Sequence, residues 1–329
     1  MVWAALPQIT QMENYEKPYF MNPWYKLHAG KRVFNRQLGR REQHAFHVLG
    51  LSKIPIFVGS LVGLLAITFV AKLHPSYDFT GLVLFNFVLA RFYPNYQIEG
   101  IDDIDTEIDV KLLALLLLLI TVIWAWGYEL VMEATYQGHH TRQVQRGIKL
   151  GFALFLLSEA MLFFPFFWAF LHGTLSPSIA LGGVWPGPGL EQEVLSPWRL
   201  PLVNTTVLLS SGVALVSAHR SILAGYRQMV LNSLCVAILL GILFSWLQFI
   251  EYGLTLFTIS DGLYGSTFFM LTGLHGFHVI VGTWLLLIAY WRVSQDHFTR
   301  THHVGFETAA WYWHFVDIVW LGVFTCVYF

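Results

Sequence analysis

The chain has 329 residues, of which 56% are hydrophobic and 12% charged, about half of the roughly 25% charge of a soluble domain. Nineteen Lys and Arg nearly balance twenty Asp and Glu, for a formal net charge of −1, which excludes a disordered chain and leaves no field to attract nucleic acid. Two cysteines, Cys235 and Cys326, both inside apolar runs, are too few for a disulfide framework or a cysteine metal cage.

The first 53 residues form a basic arm with no serine before Ser52 and with Glu13, Glu16 and Glu42 interrupting the positive charge, unlike a removable transit segment. Apolar stretches long enough to cross a bilayer, which takes about 20 residues, follow at residues 54–72, 112–132, 148–172, 201–223, 230–257, 263–291 and 306–328. Between the first two lies residues 79–90, apolar but too short to span and ending in Arg91-Phe92-Tyr93, a mix suited to the headgroup layer. The expected fold class is therefore all-α and polytopic with seven transmembrane helices, and no repeat or low-complexity linker divides residues 54–329.

Basic residues set the orientation, because positive loops stay on the side from which insertion starts. Fifteen of the nineteen fall in the arm and in the second, fourth and sixth loops, whereas the other face has Lys72, Arg91, Lys111 and Arg199. That second face also carries Glu99, Asp102, Asp103, Asp105, Glu107 and Asp109, so the N-terminus is expected inside and the C-terminus outside. Six acids with no intervening base repel one another unless they are solvated or meet a basic partner.

Charge at bilayer depth costs about 2.5 to 3.5 kcal/mol per residue on insertion scales, so each buried ionisable group calls for a role. Glu159 sits at the middle of the third span, His275 and His278 at the middle of the sixth, and His314 with Asp317 one turn apart on the seventh. Glu159 reads either as a protonated carboxyl bonded to a neighbouring helix or as part of a proton or gas path. Fourteen histidines also raise the idea of a haem or metal centre, which would make the chain an independent electron carrier. His139, His140, His302 and His303 lie in inner loops beside Arg142 and Arg300, where a solvated, protonatable surface that collects protons is the simpler expectation, and no metal is expected on this chain. Gly59 with Gly63 and Gly147 with Gly151 are small-residue stripes expected to let helices approach closely.

Seven segments stand in a fixed order: Gln137-Gly138-His139-His140-Thr141, Ser158-Glu159, Phe167-Trp168-Ala169-Phe170, residues 181–186 (LGGVWP), residues 258–269 (TISDGLYGSTFF), Gly276-Phe277-His278-Val279 and residues 310–317 (AWYWHFVD). Together they resemble subunit III of mitochondrial-type cytochrome c oxidase, continuously from about Trp124 to the C-terminus and more loosely over the first span. The resemblance implies seven helices, the first two splayed from a five-helix bundle to leave a lipid-filled cleft. It also implies the mitochondrial inner membrane with the N-terminus in the matrix, and a place in respiratory complex IV, which reduces oxygen with cytochrome c and pumps protons. Haem and copper would reside in subunits I and II, and this chain would be a non-catalytic subunit. Subunits I and II and accessory subunits are the implied partners, with other respiratory complexes as further candidates. Phospholipids such as cardiolipin, phosphatidylethanolamine or phosphatidylglycerol are the implied ligands.

Carried over residue by residue, Glu159 matches the family's buried carboxylate near the cleft and oxygen path. Trp126, Glu133, Trp168 and His172 match lipid-contacting positions, and Arg292 with His297 match an inner-loop pair suited to a phosphate. Met132 stands before Glu133 where the family usually has an arginine, and the arm 1–53 and residues 74–110 exceed what the family needs. Subunit III of a quinol oxidase is the nearest rival within the family. A secondary transporter built on Glu159 and Asp317 would show inverted repeats, and none is found.

Overall fold

A computed structural model describes residues 46–47, 52–73, 104–179, 182–190 and 194–329. Most of the arm, residues 74–103 and the acids Glu99, Asp102 and Asp103 lie outside them. Seven helices run through the described residues: α1 (Ile54–Leu73), α2 (Ile104–Thr135), α3 (Arg142–Leu175), α4 (Leu200–Ala224), α5 (Arg227–Leu254), α6 (Gly262–Ser294) and α7 (Val304–Val327). Six of them are long and apolar enough to cross a membrane, and α1 carries the shorter apolar stretch Ile54–Val70.

The helix ends follow local chemistry. Ser52 Oγ accepts the Ile54 N–H at 3.3 Å ahead of α1, and Thr141 Oγ1 accepts the Val144 N–H at 3.4 Å ahead of α3, each satisfying a first-turn donor. Gly225 turns α4 into α5 with φ 85°, its N–H donating to the Ser221 and Ile222 carbonyls, and a Cβ there would meet the Arg300 guanidinium. α2 starts at Ile104, well before the apolar stretch that begins at residue 112, because hydropathy marks only the part of a helix inside the hydrocarbon. Asp105, Glu107 and Asp109 therefore belong to the first turns of α2 and not to a loop.

The described residues form two compact units, one reaching to Val144 and one spanning Gln145–Phe329. In the first, α1 packs on α2. In the second, α4 packs on α5, α5 on α6, α6 on α7 and α7 on α4, closing a ring of four helices. α3 joins this ring through long side chains: Phe163 meets Phe315 at 6.2 Å, and Phe170 meets Trp185 and Tyr264 at 5.4 and 6.2 Å.

Two indoles of α7 hold the ring together. Trp313 is fully buried, its Nε1–H donates to Ser211 Oγ at 2.8 Å, and its ring lies against Gly241 of α5 and Gly282 of α6. A Cβ on either glycine would come within 2.6 and 2.9 Å of that ring, so only glycine leaves room for it. Trp320, also buried, donates to Thr205 Oγ1 at 3.0 Å and packs edge-on to Phe244 at 4.8 Å. Each indole thus buries a large apolar face without orphaning its one donor. The stripes picked out in the sequence do not take this part. A Cβ at Gly59, Gly63, Gly147 or Gly151 would meet no atom within 4 Å among the described residues. Small residues at helical spacing permit close approach, but what stands opposite decides whether it occurs.

Candidate functional site

Glu159 on α3 and His278 on α6 meet in the middle of the second unit. His278 Nε2 lies 2.8 Å from Glu159 Oε2, while its Nδ1 is 2.7 Å from the Leu274 carbonyl one turn back on the same helix. A carbonyl only accepts, so Nδ1 carries a hydrogen and donates. Nε2 then either accepts a proton from a neutral carboxyl or, on a charged imidazole, donates one to a carboxylate. In both cases one proton is shared between the two side chains. The His278 side chain is 4% exposed and that of Glu159 20%. Phe163 at 4.9 Å, Tyr312 at 6.2 Å and Phe315 at 6.4 Å enclose the imidazole, so the bond is formed in an apolar surround that strengthens it.

His314 and Asp317 of α7 are a second contact, Nδ1 to Oδ2 at 3.3 Å, with Asp317 against Gly212 of α4, where any Cβ would collide with its Oδ2. A third polar cluster had no counterpart among the expected site residues. Glu251, 1% exposed near the end of α5, takes Asn204 Nδ2 at 3.2 Å, Gln248 Nε2 at 3.4 Å and the Tyr328 hydroxyl. It lies near the end of the apolar run 230–257, away from the mid-depth positions at which an ionisable residue stands out in a sequence.

At the other end of this unit, Lys149 pairs with Glu307, and His303 Nε2 stands 3.3 Å from Glu307 Oε1 while its Nδ1 bonds the Thr299 carbonyl at 3.0 Å. One ligand atom each from His219, His303 and Glu307 all fall within 4.8 Å of one another, a nitrogen and oxygen set of the kind that takes a divalent transition metal. The i, i+4 spacing of His303 and Glu307 was legible in the sequence. The approach of His219 from α4 was not. Burial holds the pKa of His303 below the usual imidazole value against the opposing pull of Glu307, and it lowers that of His302, where the Arg292 charge adds to the effect.

His303 thus departs from the solvated surface expected of it: it is buried, whereas His302, His139 and His140 are half-buried. In the first unit His139 stacks on His47 at 4.1 Å, and His47 Nε2 lies 4.0 Å from Glu133 Oε1. Arg292 and His297 depart from the phosphate-binding expectation in the same way. Both are more than nine-tenths buried, the guanidinium sits 4.3 Å over the Phe298 ring, and burial together with the Arg292 charge pushes the His297 pKa down to about 4. A headgroup needs an exposed cation, and this pair is turned into the protein. Trp126, Trp168 and His172 are exposed, Trp168 at 62%.

The family model described as cytochrome c oxidase subunit III matches residues 97–329. The chain belongs to the cytochrome c oxidase subunit III family. The match starts upstream of Trp124 and inside residues 74–110, and α1 lies ahead of it. Among curated relatives, a protein of Prototheca wickerhamii named cytochrome c oxidase subunit 3 is 50% identical over 208 residues, 63% of this chain and 79% of its own length. The Arabidopsis thaliana protein of that name is 50% identical over 219 residues (66% and 82%), and that of Osphranter robustus 50% over 210 (64% and 80%). These names do not favour a quinol oxidase. All the polar contacts of the second unit lie inside the matched region.

Proposed function

We propose that the chain serves as the third subunit of a cytochrome c oxidase, the complex that reduces oxygen with electrons from cytochrome c and moves protons across the mitochondrial inner membrane. It acts there as a supporting subunit, beside subunits I and II, which hold the haem and copper. The observation that carries this reading is the Glu159 and His278 pair, one shared proton enclosed by aromatic rings within the matched region. Such a pair can shape proton supply and oxygen access without touching electrons, because moving its proton either way leaves both groups hydrogen-bonded.

The charge asymmetry supports an N-terminus on the matrix side. Exposed Trp126, Trp168 and His172 support contact with phospholipids, the indoles offering apolar area with a polar edge. Half-buried His139 and His140 in the first unit, and half-buried His302 in the second, are proton collectors in this reading, without His303.

Substituting Glu159→Ala in the assembled oxidase tests the supporting role. Haem and copper content are expected to stay unchanged while turnover slows or the enzyme inactivates sooner during turnover, with Glu159→Gln closer to the parent. Loss of haem or copper, or unaltered turnover and lifetime in the Ala variant, would overturn it.

A further inference from the structure

Four side chains of the second unit meet where α4 finishes and α7 begins, and the Glu159 pair uses none of them. His303 precedes α7 and Glu307 stands one turn on, its N–H and that of Phe306 both donating to the His303 carbonyl, so the first turn puts both side chains on one face. His219 enters from the last two turns of α4, its ring 5.5 Å from that of His303. Lys149 arrives from α3.

His303 Nδ1 lies 3.0 Å from the Thr299 carbonyl, which only accepts, so Nδ1 carries a hydrogen and Nε2 is the nitrogen left to bind. Nε2 is buried and faces Glu307 Oε1 at 3.3 Å, yet no hydrogen bond joins the two. Lys149 does not fill the gap, because its ammonium is on the other carboxylate oxygen, Oε2.

A tetrahedral ion fits that spacing, since two ligands with bonds of about 2.0 to 2.1 Å stand about 3.3 Å apart. One ring nitrogen of His219 completes the set, all three ligand atoms lying within 4.8 Å of one another. By holding Oε2, Lys149 leaves Oε1 turned to the imidazoles, the outer support that a ligating carboxylate needs. Its positive charge opposes a hard cation bound by charge alone and favours an ion whose affinity comes from imidazole nitrogen.

We propose that His219, His303 and Glu307 bind a divalent transition metal ion of the zinc class, with water in the fourth position, which ties the end of α4 to the start of α7. Zinc has no redox chemistry, so the site adds no electron-transfer centre. It depends on this chain's own residues and not on the supporting role proposed above.

The test uses zinc chloride and the intact complex purified with the parental chain, His219→Ala or Glu307→Gln. With free zinc held at or below micromolar by a chelator buffer, the parent is expected to retain one zinc ion per chain more than either variant. Affinity at this site is expected to fall at least about tenfold in each variant, the cost of losing even an outer-shell partner. Magnesium in large excess is not expected to displace the ion. Diffraction from the parental complex at the zinc absorption edge is expected to place it about 2.0 to 2.2 Å from a nitrogen of His219, His303 Nε2 and a Glu307 oxygen. That map needs no variant, so it decides the matter even where a substitution hinders assembly. Equal zinc content in parent and variants, displacement by magnesium, a peak seen only at millimolar zinc, or no metal peak among these side chains overturns the site and leaves the subunit assignment standing.

Discussion

His278 Nε2 lies 2.8 Å from Glu159 Oε2 because its other nitrogen is already taken by the Leu274 carbonyl at 2.7 Å. The imidazole cannot turn away without orphaning a buried nitrogen, so the geometry of the pair is set by α6 itself. Glu159→Gln keeps a carboxamide that donates to Nε2, whereas Glu159→Ala leaves that nitrogen buried without a partner. The Ala variant is expected to be less stable by about 1 to 3 kcal/mol and Gln by less than half of that. Thermal unfolding of the subunit within the purified oxidase measures the difference, and equal midpoints would count against the bond.

Trp313 gives a steric test. Gly282→Ala and Gly241→Ala each push a methyl into a ring that has no free space, since all its neighbours are buried helix, and overpacking of this kind costs about 1 to 3 kcal/mol. Trp313→Ala removes the ring and should cost about 3 to 5 kcal/mol. Combining Gly282→Ala with Trp313→Phe is expected to cost less than the sum of the two, because the smaller ring yields the space that the methyl needs. Retention of the subunit after heating the solubilised oxidase reports the order. Strict additivity would mean that the methyl and the ring do not compete.

The buried Glu251 cluster predicts a different pattern. The Tyr328 hydroxyl and the amides of Asn204 and Gln248 all converge on one carboxyl, so Glu251→Leu strands the hydroxyl and Gln248 Nε2 and leaves Asn204 Nδ2 with Gln248 Oε1 alone. A loss of several kcal/mol is expected for Leu and a smaller one for Gln, while Tyr328→Phe, which removes one bond, should cost about 1 kcal/mol. If Leu proves as stable as Gln by denaturation of the complex, those amides and the hydroxyl have found other partners.

How much of this could be read beforehand follows from what each signal encodes. Hydropathy reports the solvent around a helix, so the spans and their order were legible, and the start of α2 at Ile104 was missed where polar residues carry the helix past the hydrocarbon. Glu159, His278, His314 and Asp317 were each legible as mid-depth polar groups. The i, i+3 pair His314 and Asp317 was legible as a pair as well, since one helix makes both. That Glu159 meets His278 was not, because facing across helices depends on rotation about each axis. The glycine stripes failed for that reason too: Gly241 and Gly282, neither of which has a second glycine four residues away, receive Trp313, while a Cβ on Gly147 or Gly151 would meet no atom within 4 Å among the described residues.

His297 yields a pH prediction with a definite sign. Its pKa falls from 6.5 to about 4 on folding, by burial first and the Arg292 charge second, so between those values the unfolded chain binds more protons than the folded one. Stability is therefore complete above about 6.5 and falls as pH drops toward 4, by up to about 3 kcal/mol from this residue. His302 and His303 are shifted the same way and steepen the slope. His297→Gln cannot take up the proton, so it should flatten the acid limb of the unfolding midpoint against pH while changing the neutral-pH midpoint less. An acid limb as steep as the parent's would assign the sensitivity to other groups.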